Sequence, residues 1–177
     1  RRPSGVLAVV GRPPSELADQ FAAELTTLNG TCLTVPAAEV PDRVARLIRE
    51  RDADRVLAWE AAQLPAPGVL DALRAAGLRV EAGAVPADEG RAARLNDLET
   101  ISVGLTGADA AIAQTGTLVL LAGPGRPRLA ALSVRTHIVL ITPEQLHPTL
   151  AAWLAGRPGL AADLQARSAA VLITGPS

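Results

Sequence analysis

Residues able to do chemistry are sparse in this chain and concentrate between Val103 and His137. The segment Val103-Gly-Leu-Thr-Gly-Ala-Asp-Ala-Ala-Ile-Ala-Gln-Thr-Gly-Thr-Leu-Val119 reads as a strand end at Gly104-Leu-Thr106-Gly107, followed by a short Ala-rich helix capped near Asp109. A Thr115-Gly116-Thr117 turn then enters another strand. In open α/β sheets, ligands gather beyond the carboxyl ends of strands, where helix N-termini offer unpaired N–H groups. Thr106, Gly107 and Asp109 are expected in that zone. Thr115, Gly116 and Thr117 would add two hydroxyls and an uncluttered backbone for an anionic or polar ligand. The same three residues equally suit a tight turn, with Gly116 supplying the dihedral angles and the threonines satisfying local backbone groups.

Other side chains carry weaker signals. Arg126 and Arg128, in the loop Gly123-Pro-Gly-Arg-Pro-Arg128, have the forked geometry to hold a carboxylate. Solvated loop arginines fit as well, and Arg128 is the preferred candidate because ordered loops near sites often carry function. His137 could serve as a general acid or base, since an unperturbed imidazole titrates near neutrality, although a lone His at a strand start more often bonds nearby backbone. Glu60, after Leu57-Ala-Trp59, is the carboxylate an acyl transferase would want, or simply a loop residue. His147 beside Pro148 reads as a surface residue, and Cys32 within Thr31–Val35 as a small core hydrophobe. One Cys and two separated His cannot supply a Cys/His zinc site or hold an iron–sulfur cluster alone. The Gly5–Gly11 turn lacks the Gly-Lys-Ser/Thr of a phosphate loop and the glycine triplet of a dinucleotide fingerprint. No residue is assigned a catalytic role.

These residues need elements to position them, and strand-length apolar runs alternate with helical periodicity throughout. Gly5–Gly11 reads as a strand. After a helix start at Pro14-Ser15, Leu17, Phe21, Leu25 and Leu28 form one helix face, stopped by Asn29-Gly30. Cys32–Val35, Arg55–Trp59, Leu78–Val80, Ile101–Leu105, Thr117–Leu121, His137–Ile141 and Ala170–Ile173 read as further strands. Helices are expected around Val44–Ile48, Val69–Ala76, Pro86–Leu98 and Leu160–Ala166. Another is expected from Thr142-Pro-Glu-Gln145 through Leu154, with Thr142 as cap. The fold class is α/β, an open and largely parallel sheet with helices on both faces. The pair flanking the Gly123–Arg128 loop lacks room for a full crossover helix, so it is either antiparallel or carries an insertion.

Composition bounds the rest. The chain has 177 residues, 49% hydrophobic, with a formal charge of −1. That excludes disorder and removes the positive footprint of a nucleic-acid binder. Its three aromatics leave no platform for stacking bases. No apolar run has bilayer length and no leading stretch resembles a secretion signal. All 17 basic residues are Arg. The absence of Met makes Arg1 an unexpected start, so residues 1–177 are expected to form one α/β domain truncated at both ends.

The run Ala111-Ile-Ala-Gln-Thr-Gly-Thr-Leu-Val-Leu120 resembles the central signature of the LUD-domain family, of the lactate utilisation protein C type. Val103-Gly-Leu-Thr106, Arg128-Leu-Ala-Ala-Leu132 and His137-Ile138 follow that family's order, and Ile173-Thr-Gly-Pro-Ser177 resembles the opening of its C-terminal stretch. The resemblance is specific over Ile101–Ile141 and the last five residues. It implies a fold similar to ribose-5-phosphate isomerase and CoA transferases, and brings Gly175 and Ser177 into the candidate ligand-binding set. It also implies a cytoplasmic role in oxidising L-lactate to pyruvate beside iron–sulfur partner proteins, with a small carboxylate as a possible ligand. Gln114 stands where the family usually has an acid, and Ser133-Val-Arg-Thr136 replaces a Pro-rich step before the His. No cofactor motif is evident, so a two-electron carrier would come from partners. A free-standing isomerase- or CoA-transferase-like enzyme, acting on a sugar phosphate or acyl-CoA, and a purely structural assembly subunit are the alternatives.

Overall fold

The structure is a computed structural model that describes residues 6–10 and 16–174. Among the described residues there are seven α-helices and ten strands, the strands forming two sheets. The first sheet takes β1 (Val6–Val10), β2 (Thr31–Val35), β3 (Arg55–Ala58), β4 (Arg79–Ala82), β5 (Val103–Thr106) and β8 (Thr136–Ile141). Its order is β2-β1-β8-β5-β3-β4 and every pairing is parallel. The fold is thus the α/β class with a parallel sheet expected from the alternation of apolar runs and helical stretches.

Helices α1 (Glu16–Thr27), α2 (Val40–Arg49), α3 (Val69–Ala75) and α4 (Arg91–Glu99) supply the crossovers. The first three each bury one stripe. Phe21 and Leu25 of α1 lie in the core, as do Val40, Val44, Leu47 and Ile48 of α2, whereas Arg46 and Arg49 stay exposed. Asn29, at φ +60°, ends the α1 segment in the left-handed conformation, and the Gly30 N–H donates back to the Leu25 carbonyl at 2.8 Å. Helix α4 is fastened over the sheet by charge rather than by apolar burial. Arg55 bonds Asp97 at 2.9 Å and Glu81 at 3.1 Å, and Arg94 bonds Asp97 at 2.7 Å.

The second sheet has four strands in the order β10-β7-β6-β9: β6 (Ala110–Ile112), β7 (Thr117–Ala122), β9 (Leu146–His147) and β10 (Ala169–Thr174). It departs from the one-sheet alternation. Strand β7 pairs antiparallel with both β6 and β10. Leu118 and Leu120 pack into the main core, while Val119 joins Ala110, Ile112 and Trp153 beneath α6 (Leu150–Ala155). The strands flanking the Gly123–Arg128 loop therefore belong to different sheets, joined through the short helix α5 (Leu129–Leu132).

Two expected helices change form. The Ala-rich stretch after Asp109 is strand β6, not a helix capped by Asp109. Helix propensity favours Ala by under about 0.7 kcal/mol per residue over ordinary residues. Here that preference yields to backbone pairing with β7 and burial of all three residues. The segment from Thr142 makes only a 3₁₀ turn, Pro143–Gln145, before β9. The Gln145 side chain accepts the Thr142 N–H at 2.7 Å, as a capping residue should, but its amide donates to the Ala108 carbonyl and draws the chain to the β6 edge. Helix α6 starts afresh, with Thr149 Oγ1 accepting the Ala152 N–H at 3.0 Å. The last helix is α7 (Leu160–Gln165). No helix among the described residues is long and apolar enough to cross a membrane.

Candidate functional site

Strand connectivity singles out one position in the parallel sheet. From β3 the chain goes outward to its neighbour β4, whereas from β5 it goes the other way to β8. Adjacent strands whose connections diverge leave a crevice at their carboxyl ends. Beyond β3 lie Trp59 and Glu60, and at the end of β5 lie Thr106 and Gly107. The Trp59 N–H donates to the Leu105 carbonyl at 3.0 Å, carrying the β3–β5 pairing to the rim.

The loop after β7 reaches the rim of this crevice. Gly123 and Arg126 exchange backbone hydrogen bonds at 3.2 and 2.9 Å, and the Glu60 N–H donates to the Gly125 carbonyl at 2.9 Å. Arg126 is thereby delivered to the switch point and held on three sides. Its Nε donates to Gln63 Oε1 at 2.6 Å, its Nη1 donates to Asp109 Oδ1 at 2.9 Å, and the guanidinium lies 5.1 Å from the centre of the Trp59 ring. Asp109 is almost fully buried, and its second oxygen accepts the Leu121 N–H at 2.7 Å. A carboxylate buried this deeply needs both partners, because an unpaired buried charge is strongly unfavourable.

The structure brings Thr106, Gly107 and Asp109 together at one rim. It does not bring Thr115, Gly116 and Thr117 there. They lie at the opposite end of the β6–β7 hairpin, where Gly116 adopts φ +63° and its backbone comes close to Glu24 and Leu25 of α1. Thr115 Oγ1 bonds Thr117 Oγ1 at 2.7 Å, and Thr117 bonds Thr174 Oγ1 at 2.7 Å. This is the turn-forming arrangement, with the hydroxyls satisfying one another. Gln114 is exposed in the same turn and donates its backbone N–H to the Pro148 carbonyl. Gly175 and Ser177 lie outside the described residues.

His137 sits on β8 and bonds Thr106 Oγ1 through Nε2 at 2.8 Å. Burial pushes its pKa down from 6.5 to about 4, so the imidazole is neutral at pH 7. Thr106 is completely buried, so the pair ties β5 to β8 rather than presenting a hydroxyl to solvent. Arg128 is exposed at the start of α5, and its guanidinium makes no hydrogen bond or ion pair with the described residues. Burial pushes the Cys32 thiol up to about 11, in keeping with a core residue rather than a nucleophile. Among the described residues, no three His, Cys, Asp or Glu side chains gather as a metal would need.

Two members of the rim, Trp59 and Gln63, carry no motif. The usable signal was a solitary Trp at the end of a buried strand in a chain with three aromatics.

Comparison with known proteins places this geometry in a family. The LUD domain profile matches residues 18–177. A crystal structure of a DUF162 family protein from Deinococcus radiodurans superposes with a TM-score of 0.67 at 25% identity, covering 93% of this chain and 91% of that one. Lactate utilization protein C of Geobacillus sp. (strain WCH70) is 22% identical over 142 residues, which are 79% of this chain. The match spans only 58% of that relative's length. With a profile match over nearly its whole length, the chain belongs to the LUD-domain family.

Proposed function

We propose that this chain is a cytoplasmic component of L-lactate utilisation that binds a small carboxylate at the carboxyl ends of β3 and β5. The redox carriers would be the iron–sulfur clusters of partner proteins. The observation that carries this reading is the delivery of a fixed arginine, Arg126, to the switch point of the sheet. Arginine suits carboxylates because its planar fork offers paired donors, and a pre-oriented fork loses little entropy on binding. The likeness to a lactate utilization protein C supports lactate or its oxidation product pyruvate as the acid.

The test is genetic and biochemical. In cells that carry this gene, deletion is expected to abolish growth on L-lactate as sole carbon source, with growth restored by the gene in trans. Affinity purification of the tagged chain from lactate-grown cells is expected to recover iron–sulfur proteins. Undiminished growth on L-lactate after deletion would contradict the reading.

A further inference from the structure

We infer that Arg126, not Arg128, anchors the ligand, and that the anchor selects a singly charged carboxylate over a phosphate. The inference rests on the carboxylate reading above and names the group that performs it. The guanidinium has three nitrogens. Gln63 takes Nε and Asp109 takes Nη1, but Nη2 has no hydrogen-bond partner among the described residues and is not sealed from solvent. A planar cation clamped on two edges and stacked on Trp59 thus turns its third edge outward at the switch point. In the ring on which it stacks, the Trp59 indole N–H is buried without an acceptor among the described residues, and Trp59 is only 2% exposed. The rim therefore holds two donors that the described residues leave unanswered, one open and one buried.

Charge then limits the guest. Asp109 already neutralises Arg126, and the Glu60 carboxylate packs beside Gly125 on the same loop. A monoanion can bond Nη2 at modest repulsive cost, whereas a phosphate brings a second negative charge against the same two carboxylates. Arg128 has no such clamps, so its side chain would have to be ordered on binding.

Trp59 provides the readout. The other tryptophan, Trp153, also lies beneath an arginine, Arg157, so the test uses the full chain carrying Trp153→Phe. In this protein labelled with ¹⁵N-arginine, one guanidinium signal should bear the ring-current shift of Trp59. Sodium L-lactate and pyruvate, at constant ionic strength, are expected to move that signal and the Trp59 fluorescence saturably. Inorganic phosphate, tested above about pH 8 where it is almost entirely the dianion, is expected to do neither. Arg126→Lys should weaken binding about tenfold or more, the loss expected for a charge-assisted hydrogen bond, while Arg128→Ala leaves it within about threefold. If the acids bind but the Trp59-shifted guanidinium signal stays fixed, the inference fails and the carboxylate reading survives. The same holds if Arg128→Ala abolishes binding or phosphate competes equally. If neither acid binds at all, the carboxylate reading fails with it. The NMR arm needs no Arg126 variant, so it decides the matter even if Arg126→Lys does not fold.

Discussion

At the scale of single residues, His137 shows how position overrides intrinsic chemistry. An imidazole free in solution would be a ready proton carrier at neutral pH, but here burial holds its pKa near 4. Between pH 6.5 and 4 the unfolded chain takes up a proton that the folded chain refuses. Stability contributed by neutral His137 is therefore complete above pH 6.5, declines as pH falls, and is lost below about 4. The shift corresponds to at most about 3 kcal/mol. Urea unfolding at pH 7 and pH 4.5 should show wild type losing more stability on acidification than His137→Gln, and equal losses would refute the assignment. Thr106→Val removes the bond at 2.8 Å and leaves the imidazole nitrogen short of its hydroxyl partner. It is expected to cost about 1–3 kcal/mol in the same assay.

At the scale of elements, close approach and charge do the positioning. Gly104 lies where α5 crosses β5, and a methyl group there would collide with the Ala130 carbonyl. Gly104→Ala should push α5 off the sheet and destabilise the protein by at least about 1–3 kcal/mol, measured by chemical denaturation. Helix α4 depends on Asp97, whose carboxyl is held below its ordinary 3.8 mainly by the hydrogen bond from Arg55. That contribution is present above pH 3.8 and is lost as pH falls through the lowered value. The difference in stability between wild type and Asp97→Asn should accordingly shrink toward zero on strong acidification, as followed by thermal melts. These elements also show what the sequence could reveal. The amphipathic stripes of α1 and α2, and the buried runs of β3, β5, β7 and β8, were legible because burial leaves a periodic trace. Strand β6 was not, because Ala110–Ile112 has a helical composition and becomes a strand only through pairing with β7. The helix expected after Thr142 failed likewise, since its capping glutamine is also bound to Ala108, far away in sequence.

At the scale of the whole molecule, the site forms only when three separate segments meet. Trp59 to Gln63 follows β3, Thr106 to Asp109 follows β5, and Arg126 arrives from the second sheet. Thr106, Gly107 and Asp109 were legible from the zone beyond a strand end. The grouping with Trp59, Gln63 and Arg126 was not, because strand order and the second sheet decide it and neither is written in local pattern. Thr115 to Thr117 lie at the other end of the β6–β7 hairpin, where their hydroxyls bond one another and Thr174. Calorimetric titration of the full chain decides whether the rim formed by these segments takes a small carboxylate, as proposed. The predicted result is saturable one-to-one heat with L-lactate or pyruvate. Saturable binding of a sugar phosphate or CoA, with no heat from either acid, would contradict it.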